Sequence, residues 1–143
     1  MINPSTRLCD FPLRDWFEAI VEHGIRQHLS EPGLCFAPLE FGVHGRYLNR
    51  RETRGRAKIL IALTRCRDGE EAVWDTLVHE VAHHAVAEIC RPDDGDHGTI
   101  FCNVANDMAP RLGYEGRIMR ETRRARYWPG SLRGPTRIKR EVG

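Results

Sequence analysis

Apolar residues recur at helical spacing through one long stretch of the chain: Val73, Trp74, Leu77, Val78, Val81, Ala82, Ala85, Val86 and Ile89. From Gly69 to Arg91 there is no proline and no internal glycine, and Pro92 follows. The pattern predicts a helix over roughly 69–91, apolar nearly all round and therefore buried. A second helical pattern runs through Ile100, Phe101, Val104, Ala105 and Met108 and is closed by Pro110 and Gly113. An earlier one opens at Asp10 and Pro12, carries Trp16, Phe17, Ile20, Val21 and Ile25 on one stripe, and ends near Ser30, ahead of Pro32-Gly33.

Between the first and second of these helices in chain order the period changes. Leu34, Phe36, Leu39, Phe41 and Val43 form a strand-like run that Pro38 restricts to an edge or irregular strand, because proline cannot donate a ladder hydrogen bond. Tyr47 to Arg51 is expected as a second strand, Arg54-Gly55-Arg56 as a turn, and Ala57 to Leu63 as the clearest strand, an edge strand lining a cleft. After Gly113 the pattern weakens into a turn at Tyr127-Trp128-Pro129-Gly130 and a basic tail. The expected fold class is α+β, about three main helices on a small, mostly antiparallel sheet. Residues 1–113 form the domain and 114–143 a partly ordered basic extension.

The long helix carries the chemistry. Residues 79 to 83 read His-Glu-Val-Ala-His. Positions i and i+4 lie one above the other on a helix, so His79 and His83 can share one metal ion. Glu80, about 100° further round, sits at the rim of that face, where it can take a proton from a water without being a ligand. At this composition a shuffled chain contains H-E-x-x-H about 3% of the time, so the context decides. Here the context is a buried helix, where two imidazoles and a carboxylate are costly unless a metal satisfies them. The motif is that of zinc hydrolases, in a zincin-like domain.

A catalytic zinc usually has three protein ligands and one open position. His97 follows the polar turn Arg91-Pro-Asp-Asp-Gly-Asp96 and opens the next helical pattern, and Gly98 beside it permits close backbone approach. Asp93, Asp94, Asp96 and Asp107 are carboxylate alternatives. Glu88 points off the His79/His83 face. His84 projects about 100° away from His83, so it cannot join the same site and is expected as a hydrogen-bonded or half-exposed histidine. Val86 and Ile89 stand where the metzincin continuation needs Gly and His. Cys35, in Pro-Gly-Leu-Cys-Phe-Ala, does not resemble a deformylase ligand. Tyr47 and Tyr114 are oxyanion donors by residue type only, with a structural role the expectation for each. Asp75, four residues before His79, could orient it, although capping or solvation is the expectation.

The run Trp74-Asp-Thr-Leu-Val-His-Glu-Val-Ala-His83, an acidic loop, and His97-Gly-Thr-Ile-Phe101 together resemble the SprT-like metalloprotease domain, the family of the Spartan proteases. The resemblance covers roughly residues 10–113. It implies His79, His83 and His97 as ligands of one catalytic Zn2+ and Glu80 as the general base. The activity implied is endopeptidase cleavage with a metal-activated water, on proteins associated with or crosslinked to DNA. Many members add a zinc ribbon built from two C-x-x-C pairs. No C-x-x-C pair occurs in this chain, whose last cysteine is Cys102.

Composition narrows the partners. Hydrophobic content of 41% and charged content of 29% are ordinary for a soluble globular domain. No apolar run approaches a membrane span and the first residues lack a signal peptide's apolar stretch, so no membrane partner is expected. Five irregularly spaced cysteines are expected as reduced thiols in a cytoplasmic protein. The net charge of +2 conceals segregation. Residues 1–110 hold 12 basic and 17 acidic side chains, a balance of −5, and residues 111–143 hold 10 and 3, a balance of +7. In the basic extension Arg123, Arg124, Arg126, Lys139 and Arg140 suit phosphates, and Tyr127 and Trp128 suit exposed bases, so DNA is a candidate partner there and nucleoid association would follow from it. The Arg-rich run 46–67 is expected as a solvated sheet edge. The alternative to a protease is an inactive zinc-binding module of the same kind that docks on DNA or a protein.

Overall fold

The computed structural model describes residues 10–90 and 99–114. Its element order is α1 (Leu13–Ile20), a π-helical turn (Val21–Ile25), β1 (Gly33–Ala37), β2 (Gly45–Leu48), α2 (Arg50–Thr53), β3 (Lys58–Ala62), α3 (Leu63–Asp68), α4 (Glu70–Ile89) and α5 (Thr99–Arg111). The class is α+β, with five α-helices and one three-stranded sheet among the described residues.

Helix α4 is the axis of the molecule. Its 20 residues start after Gly69, whose φ of 105° is open only to glycine, and Glu70 and Glu71 in the first turn complement the helix dipole. Every residue from Val73 to Ala82 is buried. The helix contacts α1, α3, α5, β2 and β3. On one side α1 packs Trp16 edge-to-face on Trp74, with ring centroids 5.6 Å apart. On another, Ile59 and Ile61 of β3 enter the same core, and α5 supplies Phe101, Cys102, Ala105, Met108 and Ala109. Full burial of a side chain such as Leu77 contributes roughly 1.5–3 kcal/mol, so this helix is the main hydrophobic contributor to the fold.

The sheet departs from the sequence expectation in two respects. Its strand order is β1-β3-β2, and β1 pairs with β3 in parallel while β2 pairs with β3 antiparallel, so the sheet is mixed. The strand Lys58–Ala62 is therefore central, and β2 is the edge that approaches α4. The physical reason lies in β3, whose apolar run Ile59-Leu60-Ile61-Ala62 can be covered on both edges, whereas β2 carries Gly45 and Arg46.

Three local differences also emerge. The first helix stops being α at Ile20, widens into the π turn, and ends at Arg26 in the left-handed region (φ 60°). The expected strand at 47–51 ends at Leu48, because Asn49 and Glu52 form a reciprocal capping box that starts α2. Phe41, read as part of a strand, instead stands fully exposed on a turn closed by Val43 N–H donating to the Glu40 carbonyl (3.0 Å) and by an Arg46–Glu40 ion pair.

The four described cysteines are free thiols: Cys35 is exposed, Cys66 and Cys102 are buried, and Cys90 is half-buried. No helix among the described residues is long and apolar enough to cross a membrane.

Candidate metal and catalytic site

Helix periodicity stacks His79 and His83 on one face of α4, with ring centroids 5.1 Å apart and planes at 70°. Phe101 from α5 closes over both, 4.3 Å from the His83 ring and 5.1 Å from that of His79. His79 is buried, His83 half-buried and Glu80 only 5% exposed. The donor set suits a metal. Two imidazoles bound to one tetrahedral zinc at about 2.0–2.1 Å would hold their centroids about 5 Å apart. That is the spacing α4 already imposes.

Among the described residues no group of three or more His, Cys, Asp or Glu side chains stands ready to hold a metal. His97, the third donor expected from sequence, lies outside the described residues, as do Asp93, Asp94 and Asp96. Asp107, another candidate, is exposed on α5 and does not join the histidine pair. The proposed nucleic-acid residues Arg123, Arg124, Arg126, Tyr127, Trp128, Lys139 and Arg140 also lie outside the described residues.

His84, next to the pair, belongs to a different network. It is fully buried, with Nε2 2.7 Å from the Ser30 carbonyl and Nδ1 2.9 Å from the Tyr47 hydroxyl. A carbonyl only accepts, so Nε2 carries the proton and Nδ1 accepts from Tyr47. Burial holds the imidazole below its ordinary pKa, despite the opposing Ser30 bond, and so keeps it neutral. Burial likewise pushes the Tyr47 hydroxyl up to about 12, which keeps it a donor. Ser30 is further gripped by Glu88, which accepts its N–H at 3.1 Å, and by Arg50, which donates to its Oγ at 3.0 Å. The Tyr47 ring lies parallel to His83 at 6.4 Å, so β2 also flanks the face that carries the histidine pair. Tyr47→Phe removes the donor to a buried nitrogen and is expected to cost about 1–3 kcal/mol in urea unfolding. A loss below a few tenths would show the Tyr47–His84 bond to be energetically idle.

Other polar residues of α4 are also engaged. Tyr114 donates a short hydrogen bond to Asp75, so both tyrosine hydroxyls are structural. Arg65 is not a solvated edge residue: its Nε donates to Thr76 Oγ1 (3.1 Å), and it pairs with Asp68. Arg46 and Arg50, by contrast, form more exposed pairs with Glu40 and Glu88.

Sequence reasoning passed over Gly45. A Cβ at that position would stand 2.9 Å from Glu80 Oε2 and 2.7 Å from Thr76 Cγ2, so the β2 backbone lies directly against the general-base candidate. Nothing local in the sequence signals this, because the contact is between elements 35 residues apart. Phe101 was visible as an apolar position of its helix and as one residue of a motif, without a role at the site. In comparisons with known proteins, no family model, no curated protein and no solved structure matches the chain.

Proposed function

We propose that the chain is a zinc-dependent endopeptidase in which His79, His83 and His97 hold the metal and Glu80 is the general base. The observation that supports it most is the pairing of His79 with His83 at 5.1 Å, on the same helix turn as a buried glutamate that faces an edge strand. A structural zinc has no need of that glutamate. Bound zinc supplies Lewis acidity, polarising a carbonyl and acidifying water. The chain's own residues do the rest. Glu80 receives the proton of the attacking water on its carboxylate and passes it to the leaving amine. Its low exposure excludes bulk water from that exchange. The β2 edge offers an extended peptide a strand to pair with, which favours a polypeptide substrate over a small ester. The basic extension favours substrates held on DNA.

Metal content by mass spectrometry on the wild type and on His97→Ala tests this reading, with proteolysis measured with and without DNA. Near-stoichiometric zinc in the wild type, much weakened in the variant, is expected. Full retention of zinc by His97→Ala would remove His97 as a ligand and move the third donor to a neighbouring acid. A wild type that binds no metal would overturn the protease and the zinc-binding-module readings alike.

A further inference from the structure

We propose that Gly45 is a positioning residue: the bare backbone of β2 forms a wall that fixes where the Glu80 carboxylate sits. The inference rests on the hydrolase reading above and assigns Glu80's geometry to a specific cause.

Three distances carry it. A Cβ on Gly45 would lie 2.9 Å from Glu80 Oε2, 3.2 Å from Glu80 Cγ and 2.7 Å from Thr76 Cγ2. Thr76 and Glu80 are one turn apart on the same face of α4, so a single strand residue spans both. Only glycine allows the strand this close.

What would yield if a methyl were added can be argued from the surroundings. Thr76 is held by Arg65, whose Nε donates to its Oγ1 at 3.1 Å, and Arg65 is braced in turn by Asp68. The strand is held by its ladder, with Gly45 opposite Ile61 and Ala62 N–H donating to the His44 carbonyl at 2.8 Å. Glu80 Oε2 is the far end of a side chain with three torsions, whereas the Thr76 methyl and the strand backbone are not, so the carboxylate shifts at the least cost. Gly45→Ala therefore displaces the carboxylate first. A general base misplaced by about 1 Å loses about 100-fold in rate. Zinc affinity depends on the imidazoles, and the three atoms nearest that Cβ belong to Thr76 and Glu80, so the affinity should not follow.

Four proteins test this: wild type, Gly45→Ala, Gly45→Ala with Thr76→Ser, and Glu80→Gln. The added Thr76→Ser change removes the 2.7 Å contact but keeps the hydroxyl that Arg65 needs. If Gly45→Ala alone fails to fold, the double variant carries the comparison. The readouts are kcat and KM on a labelled protein substrate, zinc affinity by chelator competition, and the 13Cδ signal of Glu80 in metal-free protein, assigned by its absence in Glu80→Gln. The expected result is a kcat about 100-fold down in both Gly45 variants, KM and zinc affinity within about threefold, and a displaced Glu80 signal. Wild-type kcat with an unmoved signal overturns the proposal. Recovery of kcat on adding Thr76→Ser also overturns it, because the effect would then lie in the seating of β2. A wild type without turnover whose Glu80 signal still moves in Gly45→Ala keeps the placement and overturns the hydrolase reading instead.

Discussion

Glu80→Gln should abolish most proteolysis while leaving zinc content and melting temperature unchanged. Glutamine matches glutamate in shape, so it still fills the space between Thr76, α4 and the β2 backbone at Gly45. It cannot accept a proton. Removing a positioned general base typically costs 10²–10⁴-fold, and an effect of about that size on kcat is expected here. The candidate metal donors His79 and His83 are unaltered, so chelator competition should return the wild-type affinity. The assay is cleavage of a fluorescently labelled, unfolded protein substrate by zinc-loaded protein. Equal cleavage by both proteins would mean that the activity does not arise at this site. Equal zinc binding with no cleavage by either would favour the docking module, for which an intact glutamate has no use.

The site was legible in sequence to the extent that it lies on one helix. The H-E-x-x-H spacing, the absence of proline and internal glycine, and the apolar residues around it all follow from the helical period, and Glu70–Ile89 forms as that pattern implies. The second helix was legible for the same reason, and Phe101 lands on the histidine pair. What failed to read out was everything set by pairing between distant segments. The apolar run in 57–63 marks a strand but does not say whether its neighbours run parallel, so the mixed sheet and the central place of β3 were missed. The switch from strand to helix at Asn49 did have a local signal, the N-x-x-E capping box. The helix Leu63–Asp68 had none, for its N-cap position carries no side-chain bond. Gly45 carried no local signal of its role, which comes from the close approach of β2 to α4. Tyr47 and Tyr114 were ambiguous by type, and only their partners, His84 and Asp75, make them structural.

Asp75 should make the stability of the metal-free protein fall as pH rises from about 4 to about 7. Burial, only partly offset by the Tyr114 hydrogen bond, pushes its carboxyl from 3.8 up to about 7, with Glu71 adding to the rise. Between those values the folded state keeps a proton that the unfolded chain releases. The unfolded state binds fewer protons there, so unfolding free energy declines with pH; the group's full contribution is present below about pH 4 and lost above about pH 7. Three units at 1.36 kcal/mol each set an upper limit of about 4 kcal/mol. His84 acts in the opposite sense. Its imidazole is held below the ordinary value, so the unfolded chain binds the extra proton and stability rises with pH up to about 6.5. The two slopes partly cancel in the wild type, and Asp75→Asn separates them. The amide oxygen still accepts from Tyr114 but carries no charge at any pH. Urea unfolding of chelator-treated protein at pH 5 and pH 8 should therefore show the variant gaining on the wild type by up to about 2.6 kcal/mol at the higher pH, the part of that limit that falls between the two conditions. Chelation matters because metal bound by the histidines would carry its own proton linkage. A constant difference between the two proteins across that range would mean that Asp75 is already ionised when buried, with Tyr114 stabilising the charge rather than sharing a proton with it.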